Sequence, residues 1–123
     1  MSKYPLPRIL EFMRTVEPFD TMEEDELHQM VSQMEIAYYP RGQIIMRRGE
    51  EPSCLHIICV GSARISISDE AKEDILVDVL GEGETFGATN VLDSKKSVFD
   101  VAADEDMIAY LLPADVFKDI VAR

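Results

Sequence analysis

Cysteine is scarce in this sequence. Cys54 and Cys59 are the only two, so the chain is not a disulfide scaffold. Histidine is equally scarce: His28 and His56 lie far apart, and no C-x-x-C or H-x-H spacing offers a zinc site. Basic residues are outnumbered, 12 against 24 acidic ones, for a formal net charge of −12. Such a field repels phosphate, which sets the domain against nucleic acid and anionic membrane surfaces as direct partners but leaves room for a small local positive site. Its simplest consequence is solubility. No apolar run reaches the length of a membrane span, and no basic-plus-apolar leader opens the chain. These absences predict a soluble, cytoplasmic protein.

What is present suits one domain of 123 residues, 46% of them hydrophobic, enough for a single core. Ile9, Phe12, Met13 and Val16 form a helical stripe, which predicts a helix from Pro5 to Val16 ended by Glu17-Pro18. Thr21 with Glu24 fits a capping box before a second helix, whose stripe is Leu27, Met30, Val31 and Met34. The methionines read as ordinary core.

After Met34 the period changes. Strands are expected over 36–39, 43–47, 55–60, 63–68, 75–80, 98–103 and 107–112, with glycine- and proline-containing turns between them. The run Leu55 to Val60 is almost wholly apolar, as for a strand covered on both sides, and Cys59 within it reads as a small buried hydrophobe. Asp69 to Asp74 reads as a charged hairpin tip, and Pro113 opens a last helix. The pattern predicts a mainly β protein: a jelly roll of about eight short strands over 35–113, flanked by N-terminal helices over 1–34 and the start of a C-terminal helix over 114–123.

The stretch Gly81-Glu82-Gly83-Glu84-Thr85-Phe86-Gly87-Ala88-Thr89-Asn90 stands apart, with three glycines within seven residues after an apolar strand. A glycine-rich turn running into a helical turn can aim several backbone N–H groups at one anion. The spacing Gly42-x-x-Ile45, Gly49-Glu50-x-Pro52-x-x-Leu55-x-x-Ile58-x-x-Gly61-x-Ala63 and Gly81-x-Gly83-x-x-Phe86-Gly87 resembles the cyclic-nucleotide-binding domain family, over roughly Pro18 to Arg123. That family includes catabolite-activator-type regulators and the regulatory subunits of cAMP-dependent kinase. The opening Pro7-Arg8-Ile9-Leu10-Glu11-Phe12 and Tyr110-Leu111-Leu112-Pro113 resemble a narrower bacterial group, in which paired CBS domains and a nucleotidyltransferase-like region follow.

The resemblance implies a phosphate-binding cassette opened by the Phe-Gly step. A Glu directly after the Gly takes the ribose hydroxyl, and an Arg nine positions further pairs with the cyclic phosphate. Here those positions hold Ala88 and Ser97, and no arginine occurs between Arg64 and Arg123. Lys95 and Lys96 lie just before Ser97, and Thr89, Asn90 and Ser97 are further donors to an anion, beside the backbone N–H groups of Ala88 and Thr89. The candidate ligand site is therefore a degenerate cassette of Phe86, Gly87, Ala88, Thr89, Asn90, Lys95, Lys96, Ser97 and Val98. The family's closing helix would begin where this chain stops, so Arg123 reads as a boundary inside a longer protein.

The function expected is a non-catalytic sensory or regulatory domain of a bacterial signalling protein, with weak or absent binding of cAMP and cGMP. No catalytic residues, metal or cofactor are expected. The partners expected are a small molecule or anion and other domains of the same chain, with oligomerisation open. Two other readings remain: the sensor half of a catabolite-activator-type transcription regulator, and a cupin-type metalloenzyme, which would need more ligands than His28 and His56 supply.

Overall fold

Apolar residues at helical spacing and then at strand spacing resolve into two layers of sheet with helices on one side. The computed structural model describes residues 6–68 and 74–122. In chain order come α1 (Leu6–Met13), a 3₁₀ turn (Phe19–Thr21) and α2 (Glu24–Ser32). Five strands follow: β1 (Glu35–Tyr39), β2 (Ile44–Met46), β3 (Cys54–Val60), β4 (Ala63–Ser68) and β5 (Asp74–Leu80). Then come β6 (Thr85–Phe86), α3 (Ala88–Asp93), β7 (Asp100–Ala103), β8 (Met107–Pro113) and α4 (Ala114–Ala122).

Among the described residues the strands form two four-stranded antiparallel sheets, ordered β1-β8-β3-β6 and β2-β7-β4-β5. Their facing sides share a core of Met46, Ile58, Ala63, Phe86, Val101, Ala103, Met107 and Ala109. The other face of the first sheet supplies Leu55, Ile57, Tyr110 and Leu112 to a second core with Met13, Phe19, Leu27, Met30 and Phe117 from the helices. Covering on both faces explains why β3 reads as a nearly unbroken apolar run. The mainly β, eight-stranded architecture expected from the sequence is the one observed.

Several boundaries differ from expectation, each for a local reason. The first helix gives way after Met13, where Thr15 Oγ1 donates to the Phe12 carbonyl at 2.6 Å and Val16 N–H to Met13 at 3.2 Å, a tightened last turn. Its expected start at Pro5 lies outside the described residues. The capping box does not form: Thr21 donates its hydroxyl to the Pro18 carbonyl at 3.1 Å, and the residue before α2 is Glu23, with no side-chain cap. The 3₁₀ turn that buries Phe19 takes Thr21 for itself. Cys59 is only half-buried; its thiol donates to the Tyr110 hydroxyl at 3.4 Å. The hairpin tip expected at 69–74 falls, up to residue 73, outside the described residues, and Asp74 already belongs to β5. Among the described residues no helix is long and apolar enough to cross a membrane.

Candidate functional site

The glycine turn is clamped to the first sheet. Gly83 N–H donates to the Ile58 carbonyl at 2.8 Å, and Ile58 N–H returns a bond to Glu84 at 2.9 Å. The Glu84 carboxylate accepts Gly81 N–H at 2.6 Å. These bonds deliver β6 alongside β3, with Phe86 opposite His56. Two residues make a strand too short for periodicity to register, and β6 was not foreseen as one.

Gly87 turns the chain from β6 into α3. Its φ of +92° is a conformation that favours glycine, while a Cβ there would stand an ordinary 3.5 Å from the Cys54 carbonyl. The backbone angle, not space, demands glycine. The first bond of α3 runs from Val91 N–H to the Gly87 carbonyl at 2.9 Å. The N–H groups of Ala88, Thr89 and Asn90 therefore stay outside the helical ladder.

The far wall begins where α3 ends at Ser94, φ +51°. Asn90 Nδ2 donates to the Lys95 carbonyl at 3.2 Å and receives Lys95 N–H on its own carbonyl at 3.0 Å. Ser97 is then locked in place. Its N–H donates to Glu50 at 2.8 Å and its carbonyl accepts Gly49 N–H at 2.8 Å. Its hydroxyl donates to the Phe99 carbonyl at 2.7 Å and accepts Phe99 N–H at 3.1 Å. That turn holds residues 98 and 99 out of the ladder, so β7 starts at Asp100 rather than at Val98. Only 4% of Ser97 is exposed.

Between these walls lies a cavity of about 460 Å³, within the usual range for small-molecule sites. Phe86, Gly87, Ala88, Thr89, Asn90, Lys95, Lys96, Ser97 and Val98 all line it, so the structure brings the nine nominated residues together. Sequence reading did not nominate Met46, Ile65, Leu80, Thr85, Phe99 and Val101, which complete the wall from β2, β4, β5, β6, the turn before β7 and β7 itself. The lining is mostly apolar. Its charged members are Lys95 and Lys96, both exposed, and it contains no carboxylate. Asp100 lies outside the lining and spends one carboxylate oxygen on Arg48 N–H at 2.8 Å.

Behind Phe86 sits a part-buried cluster that spacing alone did not signal. The His56 ring stacks on Phe86 at 4.6 Å with planes 11° apart. Its Nε2 lies 3.2 Å from the Tyr39 hydroxyl and its Nδ1 3.9 Å from the Cys54 sulfur. Burial lowers the His56 pKa from 6.5 to about 4, against a smaller upward pull from its hydrogen bond to the Cys54 backbone. Burial also raises Tyr39 and Cys54, so all three groups are neutral near pH 7. No sequence signal marks this cluster; it follows from the β3–β6 pairing, which puts His56 opposite Phe86. His28 is exposed on α2, and among the described residues no group of three or more His, Cys, Asp or Glu could hold a metal ion.

The family model described as cyclic nucleotide-binding domain matches residues 36–123. The human cGMP-dependent protein kinase 2 is 29% identical over 112 residues, which cover 89% of this chain but only 15% of the kinase. Among solved structures, the regulatory subunit of a cAMP-independent protein kinase A from Trypanosoma cruzi bound to guanosine gives a TM-score of 0.86 at 22% identity, covering 95% of this chain and 41% of that one. The sensor domain of the transcriptional regulator DNR from Pseudomonas aeruginosa gives 0.87 at 13% identity, covering 95% and 79%. At these identities the two structures share its fold.

Proposed function

Because this chain belongs to the cyclic nucleotide-binding domain family, we propose that it is a non-catalytic regulatory module whose cradle does not hold cAMP or cGMP tightly and takes a ligand of altered chemistry. The observation that carries this reading is the state of Ala88 and Ser97. A methyl group offers a ribose hydroxyl no acceptor, and the single hydroxyl hydrogen of Ser97 goes to the Phe99 carbonyl. Beyond Thr89, Asn90 and the N–H groups that open α3, a cyclic phosphate would find only Lys95 and Lys96 as cations, exposed ammonium groups on flexible stems rather than a planar guanidinium. Losing one charged hydrogen-bonded partner costs about 1.5–3 kcal/mol, roughly ten- to a hundredfold in affinity.

The apolar lining, with no carboxylate and no guanidinium, suits an uncharged ligand. The T. cruzi regulatory subunit, cAMP-independent and bound to guanosine, makes guanosine the first probe. Occupancy would act on α4. Ala114 N–H, at its start, donates to the Ser53 carbonyl at 3.0 Å, and Lys118 Nζ reaches Ser94 Oγ at 3.5 Å. A ligand that prefers one position of α4 shifts that population.

The sequence features Pro7 to Phe12 and Tyr110 to Pro113 support a cytoplasmic bacterial signalling protein with CBS and nucleotidyltransferase-like domains as the parent. The likeness to the DNR sensor domain keeps a transcription regulator as the second reading, and the sequence beyond Arg123 decides between them. Isothermal titration with cAMP, cGMP and guanosine tests the site. The expected result is no sub-micromolar affinity for either cyclic nucleotide, and at least a tenfold gain for cAMP in the Ala88→Glu/Ser97→Arg variant. Sub-micromolar binding of cAMP or cGMP by the unmodified chain would refute this reading.

A further inference from the structure

The second sheet ends in β5, whose outer side has no partner strand among the described residues. Its apolar side chains are in solvent: Ile75, Leu76, Val77 and Val79 are between 42% and 51% exposed. An edge of this kind is a template for pairing, and proteins normally blunt it with lysine, proline or a covering element. β5 has neither lysine nor proline along Asp74–Leu80. It carries two aspartates instead. Asp78 Oδ1 accepts the Val79 N–H at 2.8 Å, beside the irregularity where the register with β4 shifts between Ile65 and Ser66. Asp74 Oδ1 accepts the Ser68 hydroxyl at 3.0 Å. The basic residue facing this strand from β4 is Arg64, opposite Val79.

We propose that the outer edge of β5 docks an extended segment of alternating apolar and basic residues by strand addition. Across that irregularity Leu76 and Val79 share one face, opposite Ser66 and Arg64, and supply apolar contact, while Ile75 and Asp78 share the other; main-chain bonds supply the pairing. Charge selects the occupant. A second copy would bring another charge of −12 to the interface and set aspartates near aspartates, which opposes self-pairing. A lysine or arginine on the incoming strand would engage the Asp78 carboxylate and release the Val79 N–H to the new ladder.

The probe is a fluorescein-labelled octapeptide of alternating lysine and valine, titrated at low salt, with binding read by anisotropy and by backbone amide shifts. Expected are shifts centred on Ile75 to Val79, and an affinity at least tenfold lower for Val79→Lys. Asp78→Asn, which adds no charge to the strand, should also bind more weakly, with its unfolding midpoint checked beside it. A Glu/Val octapeptide and a Lys/Ser octapeptide should both fail to bind. No binding, shifts confined to other elements, equal binding of the Lys/Ser peptide, or a concentration-dependent dimer abolished by Val79→Lys would each overturn the proposal.

Discussion

His56 shows how one residue's setting changes its chemistry. In water its imidazole would titrate near pH 6.5; stacked on Phe86 and buried, it titrates near 4. Between those values the unfolded chain binds a proton that the folded chain does not. Stability is therefore fully present above about pH 6.5, falls as pH drops towards 4, and changes no further below that on account of this residue. Complete titration corresponds to a loss on the order of 3 kcal/mol, from about 1.36 kcal/mol per pKa unit. The groups facing His56 are the Tyr39 hydroxyl and the Cys54 thiol, both held neutral across this range. Urea unfolding at pH 7 and pH 4.5 should show a smaller drop in stability for His56→Phe, which keeps an aromatic ring against Phe86, than for the unmodified chain. An equal drop in both would place the acid sensitivity on the carboxylates.

At the scale of elements, the turns decide which substitutions the fold tolerates. Gly61 joins β3 to β4 at φ +87°, and a Cβ there would stand 2.3 Å from the Asp106 carbonyl oxygen. The obstacle is backbone, and that backbone is itself fastened: Asp104 N–H donates to the Ser62 carbonyl at 2.9 Å, and the Ser62 hydroxyl to Glu105 at 3.2 Å. Gly42, at φ +89°, has nothing within 4 Å of the same position. Gly42→Ala should therefore cost only the strain of its backbone angle, about 1 kcal/mol. Gly61→Ala should cost at least about 2 kcal/mol, because strain and a clash add. Denaturant midpoints measured side by side test this; equal losses would mean that the Asp104–Asp106 loop gives way freely.

At the scale of the molecule, the net charge of −12 works against compaction. The exposed Arg14–Glu24 pair, 2.7 Å apart, offsets little of that, as exposed pairs are worth about 0–1 kcal/mol. Raising sodium chloride from about 10 mM to about 150 mM shortens the screening length from about 30 Å to about 8 Å. The melting temperature should rise across that range. A fall would mean that specific ion pairs outweigh the general repulsion.

Periodicity, glycine spacing and the Phe86-Gly87 step were enough to read a mainly β fold with flanking helices, because burial imposes those periods on any sequence that folds this way. They also fixed the residues at 88 and 97 as alanine and serine, since identity at a counted position needs no coordinates. Hydrogen-bond competition was not legible. Whether Thr21 caps α2 or the Pro18 turn, and whether the Ser97 hydroxyl faces a ligand or Phe99, depends on distances fixed by distant segments. His56 belongs to the same class: only the pairing of β3 with a two-residue strand sets its ring against Phe86 and out of water. The sequence by itself determined the glycine turn and the identities of Ala88 and Ser97 on the cavity wall. Tertiary structure alone decided that the Ser97 hydroxyl is spent, that the wall is mostly apolar and that β5 is left open among the described residues, because each follows from which segments lie side by side.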